Sequence, residues 1–302
     1  MKLCAVVVWY NPSLLENGRD AVANIQSYAG MMDCVFIVDN SSSNNSLLAK
    51  QISNARYIAN LENAGIAKAL NQGCQLAIDE GFEWCMTMDQ DSYWNPEQLA
   101  LFIHKIADFA QQDSCYVSFA PDSDQPVILS YAALLKRKVL GNHYEEKIVP
   151  PKKMVEEAEK VITSGNIIKL SAWQDVGCFL EPLFIDEVDI EFCFRLRRNG
   201  YKLLLLREAH MYHNLGSSKR TILPKITKHS GKRLYFIVRN RLIMMKLYPE
   251  YTNNYKNDLK IYFKECCIFS FDFAKNLFYF IKGFLDSSKL FSQIKNKEGK
   301  IM

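Results

Sequence analysis

The sequence predicts an α/β fold: a parallel sheet with helices on its faces, followed by a helical C-terminal extension. Three observations carry this. Short apolar runs and amphipathic helical patterns alternate five times within the first 120 residues. The leading run, Leu-Cys-Ala-Val-Val-Val-Trp, is continuously apolar and Val-rich, as in a parallel strand covered on both sides. Past Ser217 the chain turns basic and aromatic, with helical spacing and no further strand signal.

Leu3–Trp9 is the first strand, ended by Tyr10-Asn11-Pro12. Glu16–Tyr28 sets Ala21, Val22, Ile25 and Tyr28 at helical spacing. Cys34–Val38 is the second strand, stopped by the turn-rich run Asp39–Asn45. Arg56–Ile58 is a short third strand. Ala64–Ile78 is a helix with Ile66, Leu70, Cys74 and Ala77 on one face. Phe82–Met88 is the fourth strand and runs straight into Asp89-Gln90-Asp91. Pro96–Phe109 is a helix with proline in its first turn, and Cys115–Phe119 is the fifth strand. Right-handed crossovers bring the ends of parallel strands to one edge, so Asn11, Asp39 and Asp89 are expected to converge. Pro121–Lys160, with Lys136-Arg137-Lys138 and Pro150-Pro151, reads as loops or a small sheet over that edge. Val161–Leu170 is strand-like and carries Thr163-Ser164-Gly165-Asn166. Phe184–Glu191 leads into a helix that stops at Asn199-Gly200. Lys202–Leu206 is a buried strand and Ala209–His213 one more. Lys232–Leu247 interleaves Leu, Ile and Val with arginines. Ile261–Leu290 reads as an aromatic helix whose charges fall near one stripe.

The totals describe an ordinary globular chain: 302 residues, 49% hydrophobic and 23% charged. The net charge of +4 is unevenly spread. Residues 1–216 carry 19 Lys/Arg against 27 Asp/Glu, a net of −8; residues 217–302 carry 18 against 6, a net of +12. Such a tail suits an anionic surface, while no nucleic-acid-binding module is recognisable. Nine cysteines, an odd number without C-x-x-C, fit a reducing compartment better than disulfides or zinc. Met1-Lys2 enters a strand-like run with no signal-peptide pattern, and no stretch approaches the roughly 18–20 uncharged residues of a membrane span. The expectation is a cytoplasmic chain, peripheral at the inner face of the cell membrane if the tail binds lipid.

Asp89-Gln90-Asp91 is the stretch with most chemistry. Two carboxylates just past a buried strand, at the edge where open α/β sheets bind ligands, suit one hard cation with positions left for phosphate oxygens. Alone, such a pair more often marks a solvated turn.

The ordered set is far more specific. Val7–Pro12, Val38–Ser42, Asn63–Asn71 and Asp89–Asp91 resemble the donor-binding half of the family-2 inverting glycosyltransferases. Ser164–Asn166, Phe184–Glu191 and His213–Gly216 resemble the acceptor half, and M-D-Q-D-S with F-I-D-x-V-D-I-E is similar to the bacterial rhamnosyltransferase branch. The likeness covers roughly residues 3–250. It implies the GT-A fold, a Rossmann-like nucleotide-diphospho-sugar transferase domain over 1–216 (donor half about 1–120, acceptor half 121–216), with a basic helical region over 217–302. It implies a nucleotide-sugar donor, a glycan or lipid-linked acceptor, and Mg²⁺ or Mn²⁺.

Site roles follow. Asp39 at a strand end suits the N3–H of a thymine or uracil, a role the resemblance shares; the plain alternative is an Asx turn. Trp9 and Asn11 would line the same base pocket. By resemblance, Asn63, Gly65 and Lys68 lie along the donor, Asp91 binds metal, Asp89 meets ribose or metal, and His213 is a further metal ligand. Ser164, Gly165 and Asn166 line donor sugar or acceptor. Inversion needs a base opposite the leaving group. Aligned back from Arg195, Asp189 takes that place, with Val188 where many members have Glu. Glu191 would orient the acceptor or Asp189, and Asp186 and Glu187 are the runner-up bases. The reading is rhamnose transfer from dTDP-L-rhamnose to a bacterial surface polysaccharide or lipid-linked glycan. The alternatives are a UDP-hexose donor or a non-catalytic sugar-nucleotide-binding module. A nucleotidyltransferase would need a Gly-rich basic loop after the first strand, where Trp9–Pro12 stands. The tail would meet a membrane or form a homodimer.

Overall fold

A computed structural model describes residues 1–12, 20–123, 154–213, 231–264 and 272–298. The chain forms two compact units. One comprises Met1–Ala64, Ala69–Cys178 and Cys193–Lys225; the other comprises Gly65–Lys68, Phe179–Phe192 and Ile226–Met302. Two short pieces from the body of the sequence therefore cluster with the C-terminal helices.

The first unit is built on one sheet of strands β1 (Leu3–Trp9), β2 (Cys34–Asp39), β3 (Ala55–Ala59), β4 (Trp84–Asp89), β5 (Ser92–Trp94), β6 (Tyr116–Ser123), β7 (Val155–Glu157), β8 (Asn166–Lys169) and β9 (Lys202–His213). The order is β3-β2-β1-β4-β8-β6-β9-β5, with β7 added beside β9. β1 to β4 are mutually parallel, and β8 enters antiparallel between β4 and β6. β9 is one strand where the sequence suggested two. Its register on β6 shifts between Pro121 and Asp122, and Arg207 at that irregularity pairs with Asp122 (3.2 Å) and Glu156. β5 was not anticipated. It is three residues long and lies antiparallel to the end of β9, with Tyr93 and Tyr212 stacked at 5.0 Å.

Alternation along β1 explains the two covered faces. Leu3, Ala5, Val7 and Trp9 point into a core shared with helices α1 (Ala21–Ala29) and α4 (Pro96–Gln112), through Val22, Ile25, Tyr28, Leu99, Phe102 and Ile106. Asp20 caps α1 on Ala23 N, and Asn95 caps α4 with Pro96 at its start. Between these helices come the one-turn α2 (Ser46–Ala49) and α3 (Ile66–Asp79), whose Gly73 lies against Val6 on the opposite face. α5 (Leu170–Asp175) and α6 (Val188–Arg198) follow β8. The cysteines among the described residues are free thiols.

In the second unit, α7 (Gly231–Leu247), α8 (Thr252–Phe263) and α9 (Phe273–Glu298) pack around Leu234 and Val238, with Phe263 and Phe280 edge to face at 5.1 Å. Of the aromatic helix expected over Ile261–Leu290, the described residues show the end of α8 and most of α9. Lys136–Lys138, Pro150-Pro151 and Asn214–Gly216 lie outside the described residues.

Candidate active site

Strand register in the first unit sets Trp9 opposite Asp39 and Val8 opposite Asp89, so Asn11, Asp39 and Asp89 do meet at one sheet edge. Asp39 is 1% exposed. Its Oδ1 accepts from Ser41 N (2.8 Å), an Asx turn, and its Oδ2 from Asn45 Nδ2 (2.8 Å) and Tyr57 OH (2.7 Å). Burial, with the bond to Asp39, pushes the Tyr57 phenol up to about 12. Asn11, at φ 49°, donates its N–H to Ser41 Oγ (2.7 Å). Trp9, read from sequence as pocket lining, is wholly buried; its ring is core against Tyr57, and its carbonyl accepts from Asn40 N (2.8 Å). Apolar strand ends read alike whether they line a pocket or fill a core.

The Asp89-Gln90-Asp91 turn is tied down by a residue that sequence reasoning passed over. Gln90 accepts from Tyr10 N at Oε1 (2.9 Å) and returns Nε2 to Tyr10 O (3.1 Å), a two-way clamp onto the end of β1. Its carbonyl accepts from buried Asn24 Nδ2 (2.9 Å). Ser92 Oγ donates to Ser164 Oγ (3.0 Å), and Ser164 donates to Asp89 Oδ2. The Ser164 hydroxyl therefore orients the Asp89 carboxylate directly. Ser92 lies opposite His213 in the sheet, so the His213 backbone stands beside the turn; its side chain is outside the described atoms. Among the described residues no three His, Cys, Asp or Glu side chains gather into a metal cluster. Asp89 and Asp91 themselves are part-exposed oxygen donors two residues apart, which fit a hard divalent cation.

Gly165 has φ +77° and a Cβ there would stand 2.7 Å from Met211 Sδ, so it turns the chain where nothing larger fits. Asn166 is 5% exposed and its Oδ1 accepts from Ser118 (2.8 Å), a buried pair within the sheet. Asn63 is exposed, in the loop before α3. That loop is held by a reciprocal amide pair, Asn60 with Gln72 (2.9 and 3.0 Å), and Asn60 also donates to Asn40 (2.8 Å).

The second unit holds the acidic segment. Phe184, Asp186 and Glu187 all have left-handed φ (67°, 63° and 66°), an uncommon cost for non-glycine residues. α7 supplies what holds them. Asn240, fully buried, donates Nδ2 to the carbonyls of Leu183 (2.9 Å), Ile185 (2.7 Å) and Asp186 (2.9 Å). Arg239 donates to Pro182 O (2.8 Å) and Leu183 O (2.9 Å). Arg233 forks onto Asp186 (3.0 and 3.3 Å). Arg241 (3.2 Å) and Tyr255 (3.0 Å) hold Glu187, whose pKa is raised by burial. Glu191, expected to meet the acceptor or orient Asp189, is 1% exposed and accepts from Tyr248 OH (2.9 Å). Asp189 is part-exposed at the start of α6, with Oδ1 near Ile190 N (2.9 Å). Gly65, φ +84°, lies against Phe184, where a Cβ would stand 2.6 Å from the ring; Ile66 N donates to Phe184 O (2.7 Å), and Lys68 one turn on is exposed. The arginines of Lys232–Leu247 are thus a cradle for an acidic loop, where the sequence suggested a cationic outer surface.

The mixed sheet flanked by helices, with a helical C-terminal region, has the GT-A fold of the solved glycosyltransferases that it aligns with. PcManGT, the Pyrobaculum calidifontis mannosyltransferase solved with GDP-Man and Mn²⁺, aligns over 99% of this chain and 80% of its own, with TM-score 0.53 and 12% identity. Staphylococcus aureus TarS 1–349, solved with UDP-GlcNAc, aligns over 81% of this chain and 67% of its own, with TM-score 0.50 and 18% identity. The chain spans 40% of the longer TarS chain. Residues 4–146 match the Glycosyl transferase family 2 profile. The dTDP-rhamnosyl transferase RfbF of Shigella flexneri is 28% identical over 246 residues, covering 80% of this chain and 79% of that protein. Over residues 4–146 the chain is thus similar to glycosyl transferase family 2.

Proposed function

We propose that this chain is a metal-dependent inverting glycosyltransferase that moves L-rhamnose from dTDP-β-L-rhamnose to a sugar hydroxyl of a growing bacterial surface polysaccharide or lipid-linked glycan. The observation that carries it is the 28% identity over 246 residues to a dTDP-rhamnosyl transferase. Asp39 reads the base: an ionised carboxylate accepts about four hydrogen bonds, and Oδ1 is engaged by Ser41 while Oδ2 takes two donors. Asp91 and Asp89 would hold Mg²⁺ or Mn²⁺, with His213 as a further ligand and Ser164 fixing the Asp89 carboxylate. When bound, the cation offsets charge on the departing nucleoside diphosphate. Asn63, Gly65 and Lys68 lie along the donor. Asp189 takes the proton from the acceptor hydroxyl as that oxygen attacks the anomeric carbon, and a single displacement inverts the centre. Asp186, paired with Arg233, and Glu187, paired with Arg241, are the runner-up bases. The enzyme works in the cytoplasm, and its C-terminal helices bring it to the inner membrane face or to a second copy.

Incubation with dTDP-L-rhamnose and a panel of UDP-hexoses, with Mn²⁺, tests this by release of nucleoside diphosphate. Release from dTDP-rhamnose that Asp91→Ala abolishes is expected. Preference for a UDP-hexose overturns the donor assignment, and no release from any donor points to a non-catalytic sugar-nucleotide-binding module.

A further inference from the structure

α9 is amphipathic in the reverse sense. The face it turns to α7 carries Asn276, Gly283 and Ser287, all buried, with Gly283 seated over the Tyr235 carbonyl. The outward face carries Phe273, Phe278, Ile281, Phe284 and Leu285, at 47, 60, 49, 58 and 66% exposure. At 3.6 residues per turn these five fall within an arc of about 140°. Lys289, Lys282 and Lys275, all exposed, form a row along the next roughly 40° of the helix surface. Asp286 borders the row and accepts from Tyr235 OH (3.0 Å), the ring over which Lys282 Nζ lies at 5.5 Å. Scattered exposed apolar residues need no explanation, but five large ones in a contiguous stripe mark an interaction surface.

The lysine border identifies the partner. An apolar stripe with cations along its rim is what an interfacial helix presents to acidic headgroups: the stripe enters the acyl boundary and the ammonium groups stay at phosphate level. A second copy of the chain would bring the same row and the same +12 region (residues 217–302) to the contact, with no acidic row on this face to meet it. No described helix is long and apolar enough to cross a membrane, and α9 has one side committed to α7. We propose that α9 lies in the surface of an anionic bilayer, with Phe278, Ile281, Phe284 and Leu285 inserted and Lys275, Lys282 and Lys289 on lipid phosphates. This deepens the surface-glycan reading by naming the partner of the C-terminal helices, yet vesicle binding is measured with no sugar present, so it fails or stands independently of the donor.

The test is co-sedimentation of the full chain with phosphatidylcholine vesicles with and without 30% phosphatidylglycerol (about that fraction suffices for a surface potential). The chain should pellet with the anionic vesicles and be released by high salt. The triple variant Phe278→Ser/Ile281→Ser/Leu285→Ser should lose roughly tenfold or more in partitioning, and each of Lys275→Glu, Lys282→Glu and Lys289→Glu roughly fivefold. These side chains are exposed, so melting and dTDP binding should stay unchanged; Phe284→Trp should be quenched by brominated lipid. Equal binding to neutral and anionic vesicles, unchanged partitioning of the triple variant, or a dimer that the triple variant dissociates without vesicle binding would each overturn the proposal.

Discussion

Asn240→Ala removes the side chain on which the acidic segment hangs. One amide group offers two N–H donors to three carbonyls, at 2.7 to 2.9 Å, and its Oδ1 accepts from Arg239 Nε (2.9 Å). Leaving a buried polar group unmatched costs about 1–3 kcal/mol, so losing two donors and one acceptor amounts to roughly 3–5 kcal/mol. The segment holds three non-glycine residues at positive φ, each costing about 1 kcal/mol or more. The support removed is thus comparable with the strain it opposes, and the segment should relax. Asp189 begins the helix that follows, and a displacement of about 1 Å at a reacting group costs on the order of 100-fold. The expected outcome is kcat lower by about 100-fold, a melting temperature lower by roughly 5–10 °C, and a smaller loss of dTDP affinity by calorimetry, because Asp39, Asp89 and Asp91 belong to the other unit while Gly65 packs on Phe184. Asn240→Asp keeps the shape but turns a carboxylate on three carbonyls, and should be at least as damaging. Wild-type kcat and melting in Asn240→Ala would refute the cradle.

Three further outcomes follow from the same geometry. Gln90→Met keeps length but loses both bonds to Tyr10; at about 1 kcal/mol each melting should fall by a few degrees and the Mn²⁺ concentration for half activity should rise, and an unmoved metal titration would remove Gln90 as a positioning residue. Gly165→Ala must hold φ +77° and displace Met211, so unfolding in urea should show a loss of about 1–3 kcal/mol; an equally stable variant contradicts the turn. Glu187 has its folded pKa raised above the ordinary 4.5, by burial first, with Arg241 and Tyr255 opposing. The folded state therefore binds the proton more tightly, and this group's contribution to stability, full below about 4.5, falls as pH rises through the folded value. Glu187→Gln should flatten the slope of unfolding free energy above pH 4.5, and an unchanged slope would show that another group titrates there.

Strands buried on both sides were the most legible part of the chain. β1 was readable to the residue, because a Val-rich run with no polar member has one reading. The direction and place of β8 were not readable, since Val161–Leu170 announces a strand but says nothing of its partner. β5 escaped notice because three residues pair only with the far end of β9. At the edge, the convergence of Asn11, Asp39 and Asp89 followed from crossover handedness alone. The Gln90 clamp did not, because an amide between two carboxylates looks like a spacer until its neighbour strand is known. The burial of Arg239 and Arg241 was not legible either, because helical periodicity cannot separate a solvated guanidinium from a buried one. The available signal was the run Asp186, Glu187, Asp189 and Glu191, whose burial would demand cations from elsewhere in the chain.

The most direct measurement is single-turnover transfer from dTDP-L-rhamnose by Asp189→Asn beside the wild type, with dTDP binding and melting measured on the same samples. Replacing the base by an amide that cannot take a proton should reduce transfer by about 100-fold or more while dTDP affinity and melting stay as they were. Transfer by Asp189→Asn within a few-fold of wild type would contradict the account.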